Sequence, residues 1–108
     1  DKYGHYHPIH TIVNAAIVVA SLLHGNGDFE KSVTLAVLSG FDTDCNGATV
    51  GSIVGTLIGA DRVPGKWASQ LNDRVESYIV GYSDTKISEL AQRTLKIAKR
   101  VLQAYSRS

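Results

Sequence analysis

The sequence predicts an all-α fold, a compact bundle-like orthogonal array of helices that is one all-α unit or one piece of it. Three observations predict it: an apolar run at helical spacing between Ile9 and Leu23, glycines repeating every four residues from Gly47 to Gly59, and an amphipathic stretch beginning at Ser88. The chain has 108 residues, 44% hydrophobic and 19% charged with a net charge of +1, which excludes a disordered or fibrous polypeptide. A domain of this length hides a smaller fraction of its surface than a larger one, so exposed apolar faces are expected.

In the first helix Ile9, Ile12, Val13, Ala16, Ile17, Ala20 and Leu23 share a face, and Ala15, Val18, Val19 and Leu22 make the other faces apolar too. Such a helix belongs at the centre of a fold. Its longest apolar stretch, Ile12 to Leu23, contains Asn14 and Ser21 and falls short of the ~20 residues that span a bilayer, so no membrane association is expected. Gly25-Asn26-Gly27 supplies residues that tolerate positive φ and ends it. Asp28 offers a capping oxygen, with Glu30 in the favourable first turn, and the second helix runs from about Phe29 to Ser39.

The third helix carries Gly47, Gly51, Gly55 and Gly59. Each helical glycine costs about 1 kcal/mol relative to alanine, so a stripe of them predicts a bare face for the close approach of another backbone. Asp61 to Trp67 reads as a loop entering a short helix, with Trp67 a structural anchor near Pro64. Residues 77 to 82 lack clear alternation and are compatible with an extended segment. The last helix has Ser88 as its cap, Glu89 in the first turn, and Leu90, Ala91, Thr94, Ile97, Ala98, Val101 and Leu102 on one face. Five helical pieces outweigh any sheet.

Charge is unevenly placed. From Asp84 onward six basic residues stand against two acidic ones; before it, five stand against eight. Lys86, Arg93, Lys96, Lys99 and Arg100 read as a solvated face that complements the dipole of the last helix, and no nucleic-acid partner is expected. The acidic excess belongs to the part that carries Asp42 and Asp44.

Those two aspartates sit two apart, flanked by Gly40, Asn46 and Gly47, where a loop enters a helix. Oxygen ligands at that spacing on an irregular turn favour a hard cation such as magnesium, calcium or manganese. Asp and Asn are also ordinary capping and turn residues, and Asp44 alone serves as a cap. On spacing the two readings stand level. The run Asp42-Thr43-Asp44-Cys45-Asn46-Gly47 matches the first half of an EF-hand loop, but the twelfth position, where a bidentate Glu is required, is Ile53.

The longer run Gly40-Phe41-Asp42-Thr43-Asp44-Cys45-Asn46-Gly47-Ala48-Thr49-Val50-Gly51-Ser52-Ile53-Val54-Gly55 resembles the carboxy-terminal signature of the ADP-ribosylglycohydrolase family. His10 to Ala20 and Gly27 to Lys31 resemble the helices before that signature. Val63-Pro64 with Trp67 resembles the segment after it, so the resemblance covers nearly the whole chain. It implies a magnesium-dependent hydrolase that removes ADP-ribose from an ADP-ribosylated protein or small molecule. Two magnesium ions, or manganese in their place, would grip the ribose and position water. Asp42 and Asp44 are then the catalytic metal ligands, Asp44 the better candidate to bridge both ions, with Cys45 beside them and Gly40 and Phe41 at the substrate.

Two positions depart from the family pattern. Cys45 stands where many relatives have a threonine that also binds magnesium, and a thiol is a soft ligand for that ion. Either water or backbone bypasses it, or affinity drops. Phe41 stands where relatives often have a second glycine, so its ring either reshapes the pocket or stacks on the substrate.

The family's other ligands come from a threonine-aspartate-aspartate segment that this sequence lacks. The chain also contains no methionine and opens Asp1-Lys2-Tyr3. Residues 1–108 are therefore expected to be the carboxy-terminal part of a single domain, partnered by the remainder of that domain. Two carboxylates cannot complete two octahedral ions, so the chain alone is expected to bind magnesium weakly and to hydrolyse nothing.

Cys45 is the only cysteine, which excludes an internal disulfide framework and fits a reducing, cytoplasmic compartment. No cysteine-protease context surrounds it. His5, His7 and His10, with Tyr3 and Tyr6, offer imidazoles close together but read as a partly ordered terminus rather than a metal site. Two functional classes remain: a hydrolase portion completed from elsewhere, and a non-catalytic helical structural or binding module derived from the same fold. Retention of both aspartates favours the first.

Overall fold

The computed structural model describes residue 5 and residues 7–107. They form two compact units, one reaching to Pro64 and the other starting at Gly65. Helices dominate both, and the fold class is all-α.

In the first unit α1 spans Thr11–Gly25, α2 Phe29–Leu38 and α3 Thr43–Ile58, followed by a 3-10 turn, Ala60–Arg62. Asn26 ends α1 in the left-handed region at φ 50°, and Gly27 follows at φ 81°, as the Gly-Asn-Gly sequence requires. Asp28 then caps α2 by accepting from Lys31 N at 2.8 Å.

The core lies between α2 and α3: Ala36, Val50 and Val54 are buried, with Val18, Leu22, Phe29, Val33 and Ile58 packed against them. Burying each such valine contributes about 1.5–3 kcal/mol. α1 contacts both other helices. It is not central, however: only Val13, Asn14, Ser21 and Gly25 are buried, while Ile12, Val19 and Leu23 are exposed. A helix in a three-helix layer meets its neighbours on one face, so apolarity all round does not make it a centre.

The glycines of α3 face α2, but what they meet is side chain rather than backbone. A Cβ at Gly47 would lie 3.2 Å from Val37, at Gly51 3.7 Å from Val33, and at Gly55 4.0 Å from Phe29. Gly59 stands outside the stripe and ends the helix at φ 82°. The close approach occurs instead at Gly25, where a Cβ would sit 1.9 Å from Ser32 Oγ and 2.9 Å from Ser32 Cα. It joins α1 to α2.

In the second unit α4 is a single turn, Gly65–Ala68, containing Trp67, and a 3-10 turn, Ser69–Leu71, follows. Strands β1, Arg74–Glu76, and β2, Asp84–Lys86, pair antiparallel with Val75 opposite Thr85, and α5 runs Ile87–Ser106. Residues 77 to 82 therefore close a hairpin instead of being extended. Ser77 Oγ donates to Tyr82 O at 2.7 Å, and Gly81 turns the chain at φ 84°.

Ser88 is not the cap of α5. The helix starts one residue earlier, and Asp73 caps it from across the hairpin, accepting from Ser88 N at 2.7 Å and from the Ser88 hydroxyl. Those bonds, first the hydroxyl and then the amide, hold the Asp73 carboxyl below its ordinary value. The basic face of α5 is exposed, with Arg93 stacked 5.2 Å from the centre of the Tyr82 ring. Among the described residues no helix is long and apolar enough to cross a membrane.

Candidate metal centre

Between α2 and α3 the chain turns through two consecutive left-handed residues, Gly40 at φ 80° and Phe41 at φ 61°. Glycine adopts this freely; for an L side chain the same region costs about 1–2 kcal/mol. The turn delivers Asp42 to the N-cap of α3. The helix begins at Thr43, four residues before the first glycine of its stripe, so Asp44, Cys45 and Asn46 form its first turn rather than a loop. An EF-hand is excluded on this ground as well, because its loop must continue past the glycine.

Asp42 occupies the capping position without using it: its side chain makes no capping bond. Asp44 is the second residue of the helix. Its carboxyl is held below the ordinary value by hydrogen bonding with the Asp42 side chain, then by the backbone N–H groups of Cys45 and of Asp44 itself. The Cys45 thiol is pushed up by its hydrogen bond to Asp42 and by the charges of both aspartates. One carboxylate oxygen of each aspartate and Cys45 Sγ all lie within 4.8 Å of one another. Two carboxylates this close repel unless a proton or a cation lies between them.

Asp44 and Cys45 are exposed and Asp42 is half-buried. Asp42 and Cys45 also line an open groove of about 440 Å³ between α1 and α3, whose α1 wall includes Asn14, Ala15 and Val18. Gly40 and Phe41 lead into the cluster without joining it.

The cluster is held from beneath by Asn14, a residue whose part in the site its sequence context does not announce. Asn14 Oδ1 accepts from Asp42 N at 3.2 Å and from Asn46 Nδ2 at 2.7 Å. Its own Nδ2 donates to Pro8 O at 2.8 Å and His10 O at 2.9 Å. Asn14 is 8% exposed and Asn46 4%. The available signal was a lone amide inside an apolar helix, which costs stability unless its hydrogen bonds are met.

Asp42, Asp44 and Cys45 are the single group of three or more such ligand residues among the described residues, so the histidines near the amino terminus form no second one. His5 and His7 are exposed, and Tyr3 and Tyr6 lie outside the described residues.

No curated protein and no solved structure matches the chain. The ADP-ribosylglycohydrolase family profile matches residues 2–106, a span that takes in both units and the aspartate turn. With all but three of its 108 residues inside that match, the chain belongs to the ADP-ribosylglycohydrolase family.

Proposed function

We propose that the chain is part of a magnesium-dependent hydrolase that releases ADP-ribose from an ADP-ribosylated protein or small molecule, with Asp42 and Asp44 as metal ligands. The observation that carries this reading is the convergence of two carboxylates within 4.8 Å at a helix start where neither residue is consumed as an ordinary cap.

The donor set fits the ion in kind. Carboxylate oxygens are hard ligands suited to magnesium or manganese, while Cys45 Sγ is the soft member and lowers the match to magnesium. When bound, such ions supply Lewis-acid charge and lower the pKa of coordinated water. The chain's own residues do the rest. The rigid first turn of α3 fixes the spacing of Asp42 and Asp44. The left-handed pair Gly40 and Phe41 leads into Asp42, and Phe41 is half-buried, its ring either reshaping the pocket or stacking on the substrate. The helix amino terminus stabilises both carboxylates as anions and opposes the cation, so the site gains from ligands supplied by the remainder of the domain.

A single cysteine and a helical scaffold suit a cytoplasmic enzyme of this kind. The test is ADP-ribose release by the full-length protein from an ADP-ribosylated protein and from a small ADP-ribosyl compound. Release with magnesium, lost in EDTA and in Asp44→Asn, supports the reading. Magnesium-independent release overturns it, and no release from either substrate favours a non-catalytic helical module.

A further inference from the structure

We infer that Asn14, on α1, is a positioning residue that sets the divalent-cation affinity of the Asp42 and Asp44 pair; this rests on the metal-site reading above. An amide side chain has two donors and one oxygen able to accept twice. Asn14 uses all four. Its donors are anchored on Pro8 O and His10 O, at the start of its own helix, so the oxygen is held in one place. That oxygen receives the backbone N–H of Asp42 and the side chain of Asn46, one helical turn further on.

The consequence falls on Asp42. With its N–H tied to α1, Asp42 is fixed at φ −88°, ψ 76°, a conformation in which its carboxylate makes no capping bond and the residue lines the groove. Without that tie the turn is free to rotate and the carboxylate to fold back on the amides of the first turn, where a capping Asp ordinarily binds. Asn46 N, meanwhile, donates to Asp42 O at 2.9 Å, so both sides of the Asp42 peptide frame are held. Neither aspartate nor serine replaces Asn14: an aspartate carboxylate has no donors, and serine has one where Asn14 uses two. Groups that orient metal ligands in this way change metal affinity by about 10–100-fold when removed.

The experiment is a manganese titration of the full-length protein, following free Mn2+ by electron paramagnetic resonance, for wild type, Asn14→Ala, Asn14→Ser and Ser32→Ala. Ser32 is also buried, more fully than Asn14, but caps nothing near the aspartates, bonding instead to Asp28 O. The expected result is a Kd raised about 10–100-fold in whichever Asn14 variant circular dichroism shows to be folded, with Ser32→Ala within twofold of wild type. A folded Asn14 variant that binds within twofold of wild type overturns the inference while leaving the metal site intact. An equal loss in Ser32→Ala overturns it too, by reducing Asn14 to general stability. Absence of Mn2+ binding in wild type defeats the metal reading itself, and the inference falls with it.

Discussion

Asn46 Nδ2 donates to Asn14 Oδ1 over 2.7 Å, joining α3 to α1 across 32 residues of chain in a place where both side chains are buried. An apolar helix tolerates such a group only when every polar atom is paired, and here α3 supplies the missing partners. Asn46→Ala removes one of them. The expected cost is about 1–3 kcal/mol, read as a lower urea midpoint with an unchanged slope. A midpoint equal to wild type would mean that the pair does not form.

The left-handed Phe41 makes a backbone prediction that can be separated from its side chain. Phe41→Ala and Phe41→Gly both delete the ring, but only glycine is at ease at φ 61°. The glycine variant should be more stable than the alanine variant by about 1–2 kcal/mol in denaturant unfolding. Equal stability would show that the turn carries no strain.

Glycines at two contacts should respond in opposite directions. Gly25→Ala places a Cβ against the backbone of Ser32 and should destabilise by about 1–3 kcal/mol or more, since Ser32 Cα cannot move without α2. Gly51→Ala meets its first neighbour at 3.7 Å, an ordinary contact, and should gain up to about 1 kcal/mol from helix propensity. Thermal melts of the two variants decide the matter.

These contrasts mark what was legible in the sequence. The Gly-Asn-Gly stop of α1 and the Asp28 cap of α2 are local signals, and both helices formed where those residues placed them. The amphipathic face of α5 was equally plain, but its cap was not, because Asp73 reaches Ser88 through a hairpin whose three-residue strands leave too short a pattern to read. Asn14 was hidden for a similar reason. The partners of its oxygen lie 28 and 32 residues away, and an isolated polar residue in an apolar run says nothing about which carbonyl or amide will meet it. The glycine stripe misled in the other direction, since regular spacing suggested the tightest contact where Gly25 in fact provides it. Asp42, Asp44 and Cys45, adjacent in sequence, were the easiest part of the candidate site.

The Asp73 cap gives a pH dependence with a defined sign. Its carboxyl titrates lower in the folded chain than in the unfolded one, because Ser88 donates to the charged form. Its contribution is therefore fully present above the unfolded value and is lost as pH falls through the folded value. Carbon-detected nuclear magnetic resonance titration should place the Asp73 midpoint below that of an unstructured aspartate, and Ser88→Ala should return it upward. An Asp73 midpoint unmoved by Ser88→Ala would contradict the cap.

Whether Asp42 and Asp44 hold a divalent cation decides the functional reading, and anomalous diffraction from crystals of the full-length protein grown with Mn2+ tests it most directly. The expected result is a manganese peak in bonding contact with carboxylate oxygens of both residues, absent from Asp44→Asn crystals. A protein that releases ADP-ribose with manganese while its bound ion sits away from both aspartates would contradict it.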